Sequence, residues 1–471
     1  MTSLDSRLDR SAAVRSARET LAGEPAWLVG GTVRDALLGR PLEDLDLVVE
    51  RDAERAARAL ARALKGHVFP LSERFGAWRV IAPDRSWQAD LTPARGSIEE
   101  DLGLRDFTVN AMAVGLPAAD VLDPHGGRAD LRARTIRAVG PRAFADDPLR
   151  VLRMARFSCE LDFAPDPATH ELAAAESGRI AEVAPERSFH ELRRLLASDQ
   201  PRRGIELMDS AGLVAPLLPE LEGLKGVEQN PYHHLDVWGH TLEVLERLVA
   251  VEREPEATFG EAGAEIAREL RRPLADDLTR GQALRLGALL HDAGKPATRA
   301  VTDEGRILFW GHDGVGAQMA RAFCRRMHAS GALADFLAAL AQHHLRLGFL
   351  VHERPLSRRH IYRYLKACEP VEVEVTVLSV ADRLATMGPR TRDEAVGSHL
   401  ELARELAAQA IAWRGAERPR APVRGDDLIS ELGIEPGPEV GRLLEAIEEA
   451  AFAGEVGSRE DALALARREA S

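Results

Sequence analysis

WLVGGTVRDALLGRPLEDLDLVV, residues 27–49, is the stretch that decides how this chain is read. An apolar entry, Trp27 to Val29, breaks on Gly30-Gly31 and runs into a helical pattern, and the segment closes on Asp44-Leu45-Asp46. On a strand successive side chains alternate faces, so Asp44 and Asp46 point the same way. Two neighbouring carboxylates repel unless cations lie between them, which makes D-x-D a natural holder of Mg²⁺. Upstream, Gly30 and Gly31 let backbone N–H groups approach an anion at a helix N-terminus, and Arg34 adds a planar fork for phosphate. Together these parts suit a nucleoside triphosphate, with metals stabilising an attacking hydroxyl and a leaving pyrophosphate. A dinucleotide-binding loop fits less well, because it wants G-x-G-x-x-G and one ribose-binding acid about 20 residues later. Here the glycines are adjacent, the next is Gly39, and the acids come as an alternating pair. Each piece taken singly also reads as a turn and a solvated strand edge.

The 471-residue chain is too long for one core, and its 45% hydrophobic and 29% charged content is that of an ordinary globular protein. No apolar run reaches the length of a membrane helix. The first twenty residues mix acids with arginines and lack an apolar core, so no signal peptide is expected. Cys159, Cys324 and Cys368 lie far apart, without a metal-type or disulfide spacing. A cytoplasmic setting is therefore expected, with no membrane partner. The net charge of −13 argues mildly against nucleic acid. Arginines nevertheless crowd residues 128–156 and again Arg187 to Arg203, either as phosphate-holding surface or as solvated helix faces.

Up to about Arg137, short β-branched runs (WLVGG, DLDLVV, HVFPL, WRVIA, FTVNAMAV) alternate with helical stretches, which predicts a small sheet in an α+β arrangement. From Pro148 onward apolar residues recur at helical spacing, as in LRVLRMARF and FHELRRLLAS, and an all-α body is predicted. Residues 252–265 and 413–427 read as linkers or surface insertions.

GGTVRDALLG followed by DLDLVV resembles the signature of bacterial tRNA nucleotidyltransferases and poly(A) polymerases, a branch of the polymerase beta superfamily. RDFTVNAMAV (105–114), DPHGGRADL (123–131), DDPLRVLRMARF (146–157) and ERSFHELRRLL (186–196) resemble the family's further motifs in order. The resemblance implies catalytic metals on Asp44 and Asp46, with Asp90 of WQADLT as a third carboxylate. It places Gly30, Gly31, Arg34, Arg105, Asp106 and Asn110 at the phosphates and ribose of the nucleotide. Asp147 and Arg150 would read the Watson–Crick edge of the base, with Arg153 and Arg156 in the same binding set. A carboxylate and a guanidinium supply the acceptors and donors such reading needs, although an acid and an arginine three residues on also make an ordinary helix ion pair. Three departures stand out. Leu104 precedes Arg105 where the family usually has a second arginine, the selecting motif opens Asp146-Asp147 rather than Glu-Asp, and ADLTPARGSIEED (89–101) is short where many members carry a flexible arginine-bearing loop. That loop is associated with switching from CTP to ATP, so addition of the two cytidines alone is an implied alternative.

LLHDAGKPATR sets His291 beside Asp292, with His240 upstream in HLDVWGHTLEVL and Asp382 downstream in VLSVADRL, while His312, His343 and His344 fall between. Imidazoles and carboxylates suit Mn²⁺, Ni²⁺, Co²⁺ or Mg²⁺, and water on such a metal becomes a nucleophile near neutral pH. The set resembles the HD-domain metal-dependent phosphohydrolases, with His240, His291, Asp292 and Asp382 at the four motif positions. The tail GDDLISELGIEPGPEVGRLLEAIEEAAFAGEV (425–456) resembles the C-terminal segment of the same enzymes, where tRNA contact is expected.

The expected architecture is thus α+β, a small mixed-sheet nucleotidyltransferase head followed by an all-α body that includes a helical HD domain. Its expected divisions are 1–140 (head), 141–228 (nucleotide-selecting and RNA-binding), 229–410 (HD domain) and 411–471 (helical tail). The expected activity is addition of all or part of the 3′ CCA end to tRNA from CTP and ATP, with Mg²⁺ in the head and a divalent metal in the HD site. The alternatives are a poly(A) polymerase sharing the head motifs and a non-catalytic RNA-binding module. Intact acidic pairs argue against the latter.

Overall fold

A computed structural model describes residues 4–73, 75–116, 120–415 and 420–470. The chain clusters into two compact units, residues 4–183 with 206–216, and residues 184–205 with 217–470.

The first unit holds a seven-stranded sheet of β1 (Ala26–Val29), β2 (Asp44–Val49), β3 (His67–Ser72), β4 (Ala77–Ile81), β5 (Gln88–Pro93), β6 (Ala113–Gly115) and β7 (Val121–Leu122). Its order is β3-β4-β5-β2-β1-β6-β7. Only β2 and β5 run parallel; the other neighbours are antiparallel, so the sheet is mixed as expected. The parallel pairing puts Asp44 opposite Gln88 and Asp46 opposite Asp90, at the centre of the sheet. Val29 ends β1 in extended backbone, Gly30 turns with φ +61°, and helix Gly30–Leu38 starts at once. Gly39 closes that helix in the left-handed conformation that glycine adopts without strain. FTVNAMAV is only partly a strand, because Thr108–Asn110 forms a 3₁₀ turn before β6.

Among the described residues beyond Pro148 the regular structure is helical apart from strand Ala164–Pro165, which pairs with Thr135–Ile136 upstream, and two two-stranded ladders, Pro273–Ala275 with Leu278–Thr279 and Ala300–Val301 with Ile307–Leu308. The first linker expectation fails. Residues 252–265 carry the end of helix Val237–Arg253, helix Pro255–Phe259 and the start of helix Gly263–Leu270, with Phe259 buried. Most of its charges are exposed, Glu252 is ion-paired to Arg285, and the few apolar residues suffice to seat it. In the second expected linker, residues 416–419 lie outside the described set, and the helix before them ends at Gly415. The tail helices Gly425–Leu432, Pro438–Ala453 and Arg459–Glu469 close on a core of Leu428, Leu443, Ile447 and Leu463.

Candidate functional site

Two constellations stand in separate compact units. In the first, Thr32 ties the strand to the turn. Its Oγ1 accepts from Asp46 N (2.7 Å) and donates to Asp44 O (3.3 Å), while Gly31 N donates to Asp46 Oδ2 (3.2 Å). Asp44 is exposed and takes a hydrogen bond from Gln88 Nε2 (2.8 Å). Burial raises the pKa of Asp46 and the neighbouring Asp90 adds to this, against the pull of Arg105 and Arg34. An acid so crowded by like charge fits a divalent cation held by hard oxygen donors. Asp90 stands opposite Asp46 across the parallel pair, and Arg79 grips both its oxygens, Nε to Oδ1 at 2.6 Å and Nη2 to Oδ2 at 2.7 Å. Among the described residues the three carboxylates do not converge to within 4.8 Å.

The nucleotide-binding candidates form a relay. Arg34 Nη1 donates to Asn110 Oδ1 (2.7 Å), Asn110 Nδ2 to Asp106 Oδ1 (3.0 Å), and Arg153 Nε and Nη2 to Asp106 Oδ2 (2.9 and 2.6 Å). Burial opposes the charge on Asp106, but Arg153 and Asn110 outweigh it and hold the carboxyl far below its usual range. Arg105 lies against Gly30, where a Cβ would meet its Nη1 at 2.8 Å, and it is steadied by Asp101. Asp101 also binds Arg95 (2.9 Å), and Ser97 with Glu100 makes a capping box that starts helix Ile98–Gly103. Arg150 spans the carbonyls of Leu104, Arg105 and Ala143, and Asp147 accepts from Leu149 N (3.2 Å). Arg156 departs from its expected place. It is 1% exposed, ion-paired to Glu160 and stacked over Phe157, so it supports the core instead of offering donors to a nucleotide. Thr32, Gln88, Arg79 and Asp101 were not singled out from the sequence; the first three act through partners 11 to 44 residues away, and Asp101 acts by steadying Arg95 and Arg105 nearby.

In the second unit the histidines stand at helix ends. Helix Val237–Arg253, capped by Asp236, brings His240; helix Arg280–Leu290 delivers His291 and Asp292 just past its last residue. Helix His312–Arg326 opens on His312, His344 follows helix Gly331–His343, and Asp382 rides on helix Glu372–Ala385. Gly294 makes the assembly possible, because a Cβ there would lie 2.7 Å from Gly316 N and closer still to His312 O. His240, His291 and Asp382 form one group with ligand atoms within 4.8 Å of one another, and Asp292, His312 and His344 form another. The four motif residues are therefore joined by His312 and His344, whereas His343 lies outside and pairs with Arg346.

His291, His312 and His344 each direct Nδ1 at a backbone carbonyl, of Ala288, Phe309 and Ala341, at 2.8, 2.7 and 2.7 Å. A carbonyl only accepts, so each Nδ1 carries a proton and each ring turns its Nε2 inward. His312 Nε2 and His344 Nε2 stand 3.3 Å apart. Two lone pairs at that distance repel unless a cation lies between them. Burial and the neighbouring His291 pull the His344 pKa down to about 4, so it stays neutral. Burial opposes charge on Asp292, yet His291 and Lys295 override it and keep the carboxylate ionised. Lys295 Nζ lies 2.6 Å from Asp292 Oδ2 and His291 Nε2 3.1 Å from the same atom, but neither Asp292 oxygen, nor His240 Nε2, nor His291 Nε2 has a well-aligned hydrogen bond. Buried orphaned acceptors of nitrogen and oxygen type fit divalent metal ions.

Comparisons with known proteins agree with both sites. Residues 26–137 match the poly A polymerase head domain, residues 162–224 a probable RNA and SrmB-binding site of polymerase A, and residues 237–387 the HD domain. The chain is 36% identical to an A-adding tRNA nucleotidyltransferase of Deinococcus radiodurans over 94% of its length and 95% of the relative's. It is 34% identical to a CC-adding tRNA nucleotidyltransferase of Thermus thermophilus, covering 93% and 92%. It is 32% identical to a multifunctional CCA protein of Xanthomonas campestris pv. campestris, covering 91% and 98%. In fold it resembles the Thermotoga maritima CCA-adding enzyme complexed with tRNA, with a TM-score of 0.63 at 22% identity over 100% of this chain and 99% of that one. With its head motifs, acidic pair and HD cluster in place, the chain belongs to the tRNA nucleotidyltransferase and poly(A) polymerase family as a template-independent RNA nucleotidyltransferase of the CCA-adding type that carries an HD domain.

Proposed function

We propose that this chain acts in the cytoplasm on tRNA 3′ ends and adds the two cytidines of CCA from CTP, with terminal adenosine added weakly or not at all from ATP. Relatives that add A and relatives that add CC are about equally similar, 36% and 34% identical, so identity does not choose between them. The observation that carries the reading is the connection from β5 to helix Ile98–Gly103. Only Ala94 to Ser97 join them, and Arg95, the one arginine there, is ion-paired to buried Asp101. A pocket that must change shape between cytosine and adenine needs a lever, and four residues pinned by a capping box and an ion pair have little slack.

In this reading Asp44 and Asp46 hold Mg²⁺, with Asp90 behind Arg79 as the weaker third carboxylate. When bound, the metals neutralise charge on the triphosphate and lower the pKa of the attacking tRNA hydroxyl. Gly30 and Gly31 admit the triphosphate to the helix N-terminus, and Arg34 and Arg105 offer it guanidinium donors. Asp106 and Asn110 hold Arg34 and Arg153 in register for the ribose and phosphates. Asp147 accepts from the cytosine amino group, and the N–H groups of Arg150 not spent on carbonyls donate toward the ring acceptors. The four segments 1–140, 141–228, 229–410 and 411–471 are proposed as its working modules, the last contacting tRNA. The test compares CMP addition to tRNA lacking CCA with AMP addition to tRNA ending in CC. Equal rates overturn the cytidine-only reading, and long adenosine tails would favour poly(A) synthesis.

The HD cluster is proposed to hold Mn²⁺, Ni²⁺, Co²⁺ or Mg²⁺ and to hydrolyse phosphoesters. Hydrolysis of bis-p-nitrophenyl phosphate that depends on added metal and vanishes in His291→Ala tests it.

A further inference from the structure

The paired residues of β1 and β2 run from Ala26 opposite Val49 to Leu28 opposite Leu47. Asp44 and Asp46 lie beyond that run, because β1 ends at Val29 and the chain turns at Gly30 into helix Gly30–Leu38. On a strand, residues two apart direct their N–H and C=O groups to the same edge, so the Asp46 N–H and the Asp44 C=O share the flank that β1 has left. The other flank is covered by β5, where Gln88 N donates to Glu43 O at 2.8 Å. The Thr32 hydroxyl fills the gap. Its Oγ1 accepts from Asp46 N at 2.7 Å and donates to Asp44 O at 3.3 Å, so one hydroxyl does the work of both backbone groups of a missing strand partner. Thr32 is 1% exposed, which keeps water from taking over either bond.

Thr32 is the third residue of the helix whose start is proposed to receive the triphosphate. From the same turn Gly31 N donates to Asp46 Oδ2, so the helix start grips Asp46 by its backbone and its carboxylate alike. Helix formation does not call for threonine here, since alanine is the better helix former and valine fills the same space. What alanine and valine lack is the joint acceptor and donor, and either would leave two buried backbone groups unpaired. We propose that Thr32 is a positioning residue of the head site, its hydroxyl splinting the strand of Asp44 and Asp46 to the helix turn at the triphosphate. It touches neither nucleotide nor metal, and acts by fixing how far the two acids stand from the phosphates. The inference rests on the reading that Asp44 and Asp46 hold Mg²⁺.

The test removes the hydroxyl in two settings, wild type against Thr32→Val and Thr32→Ser against Thr32→Ala. Either pair decides the matter if a variant of the other does not fold, and urea unfolding confirms that each protein compared is native. The first readout is CTP binding without tRNA, by equilibrium dialysis in EDTA and in excess Mg²⁺. Mg²⁺ should tighten CTP binding to the wild type, and Asp46→Ala should abolish that tightening. Loss of the Thr32 hydroxyl should reduce the tightening about 10-fold, the effect of removing a group that orients metal ligands, and leave affinity in EDTA unchanged. The second readout is the kinetics of CMP addition to tRNA lacking CCA. There kcat should fall about 10²-fold, as a displacement of about 1 Å at the reacting centre implies, with KM for tRNA unchanged. Thr32→Ser should retain both properties. Equal behaviour within each pair, or lost stability with Mg²⁺ tightening and kcat intact, overturns the positioning role. Tightening that survives in Asp46→Ala overturns the metal reading instead, and the kcat comparison then decides on Thr32.

Discussion

A methyl group added at Gly30 would stand 2.8 Å from Arg105 Nη1 and 3.0 Å from Asp46 Oδ2, on backbone with φ +61°. Gly30→Ala should therefore lose about 1–2 kcal/mol of stability from the left-handed backbone alone, measured by urea unfolding. It should also slow CMP addition, because the methyl displaces Arg105 and Asp46, the acid proposed to hold metal, together. Asp46→Ala is the cleaner probe of chemistry. Removing one of the two carboxylates proposed to hold metal should reduce CMP incorporation at least about 10³-fold with the unfolding midpoint little changed. Near wild-type incorporation by purified Asp46→Ala protein sinks the head site. These residues were legible because strand alternation and adjacent glycines are local signals. His312 and His344 were not, because they join Asp292 only when three helix ends meet, across gaps of 20 and 52 residues that no spacing rule covers. Arg156 misled for the opposite reason: it shares a motif with Arg150 and Arg153, but the helix turns it into the core.

At the scale of elements, helix Glu372–Ala385 carries Asp382 and is anchored by charge. Arg414 binds Glu372 (3.0 Å) and Glu374 (2.8 Å), and Arg280 binds Glu374 as well. Both glutamates are buried, so Arg414→Met leaves Glu372 without its ion-pair partner and Glu374 with Arg280 alone, and should destabilise by about 3–5 kcal/mol. A shifted Asp382 should then weaken HD metal binding, which equilibrium dialysis measures, while a variant with wild-type stability and metal affinity contradicts the anchoring role. The sign with pH is fixed. Burial raises the pKa of Glu374, but Arg414 and Arg280 more than offset it, and the folded value lies below the unfolded one. Its stabilisation is complete above the unfolded value of about 4.3 and is lost as pH falls through the lowered folded value. Glu374→Gln should lack this part of the acid dependence in denaturant titrations. The helices themselves were legible from apolar spacing, whereas this network was not, since its arginines and glutamates lie 40 to 94 residues apart and looked like solvated surface.

At the scale of the molecule, the acidic pair and the HD cluster belong to different compact units, the first ending its main run at Val183 and the second beginning at Ala184. Every hydrogen bond described for Asp44 and Asp46 comes from residues 31–88, and every contact described for the HD ligands comes from residues 233–399. Losses at the two sites should therefore be independent. His291→Ala with Asp292→Ala removes a ligand from each metal group and also frees Lys295, so the second unit should lose bound metal and metal-dependent phosphoesterase activity. Metal that binds only the folded state stabilises it by about 2.7 kcal/mol at a concentration 100 times its Kd. Added metal should thus raise the unfolding temperature of the wild-type protein and leave that of the double variant unchanged. CMP addition to tRNA should stay within about twofold of wild type, the range expected where separated sites do not couple. Elemental analysis showing full metal occupancy in the double variant refutes the ligand assignment. Loss of CMP addition in a variant whose unfolding transition is otherwise intact refutes the independence of the two sites.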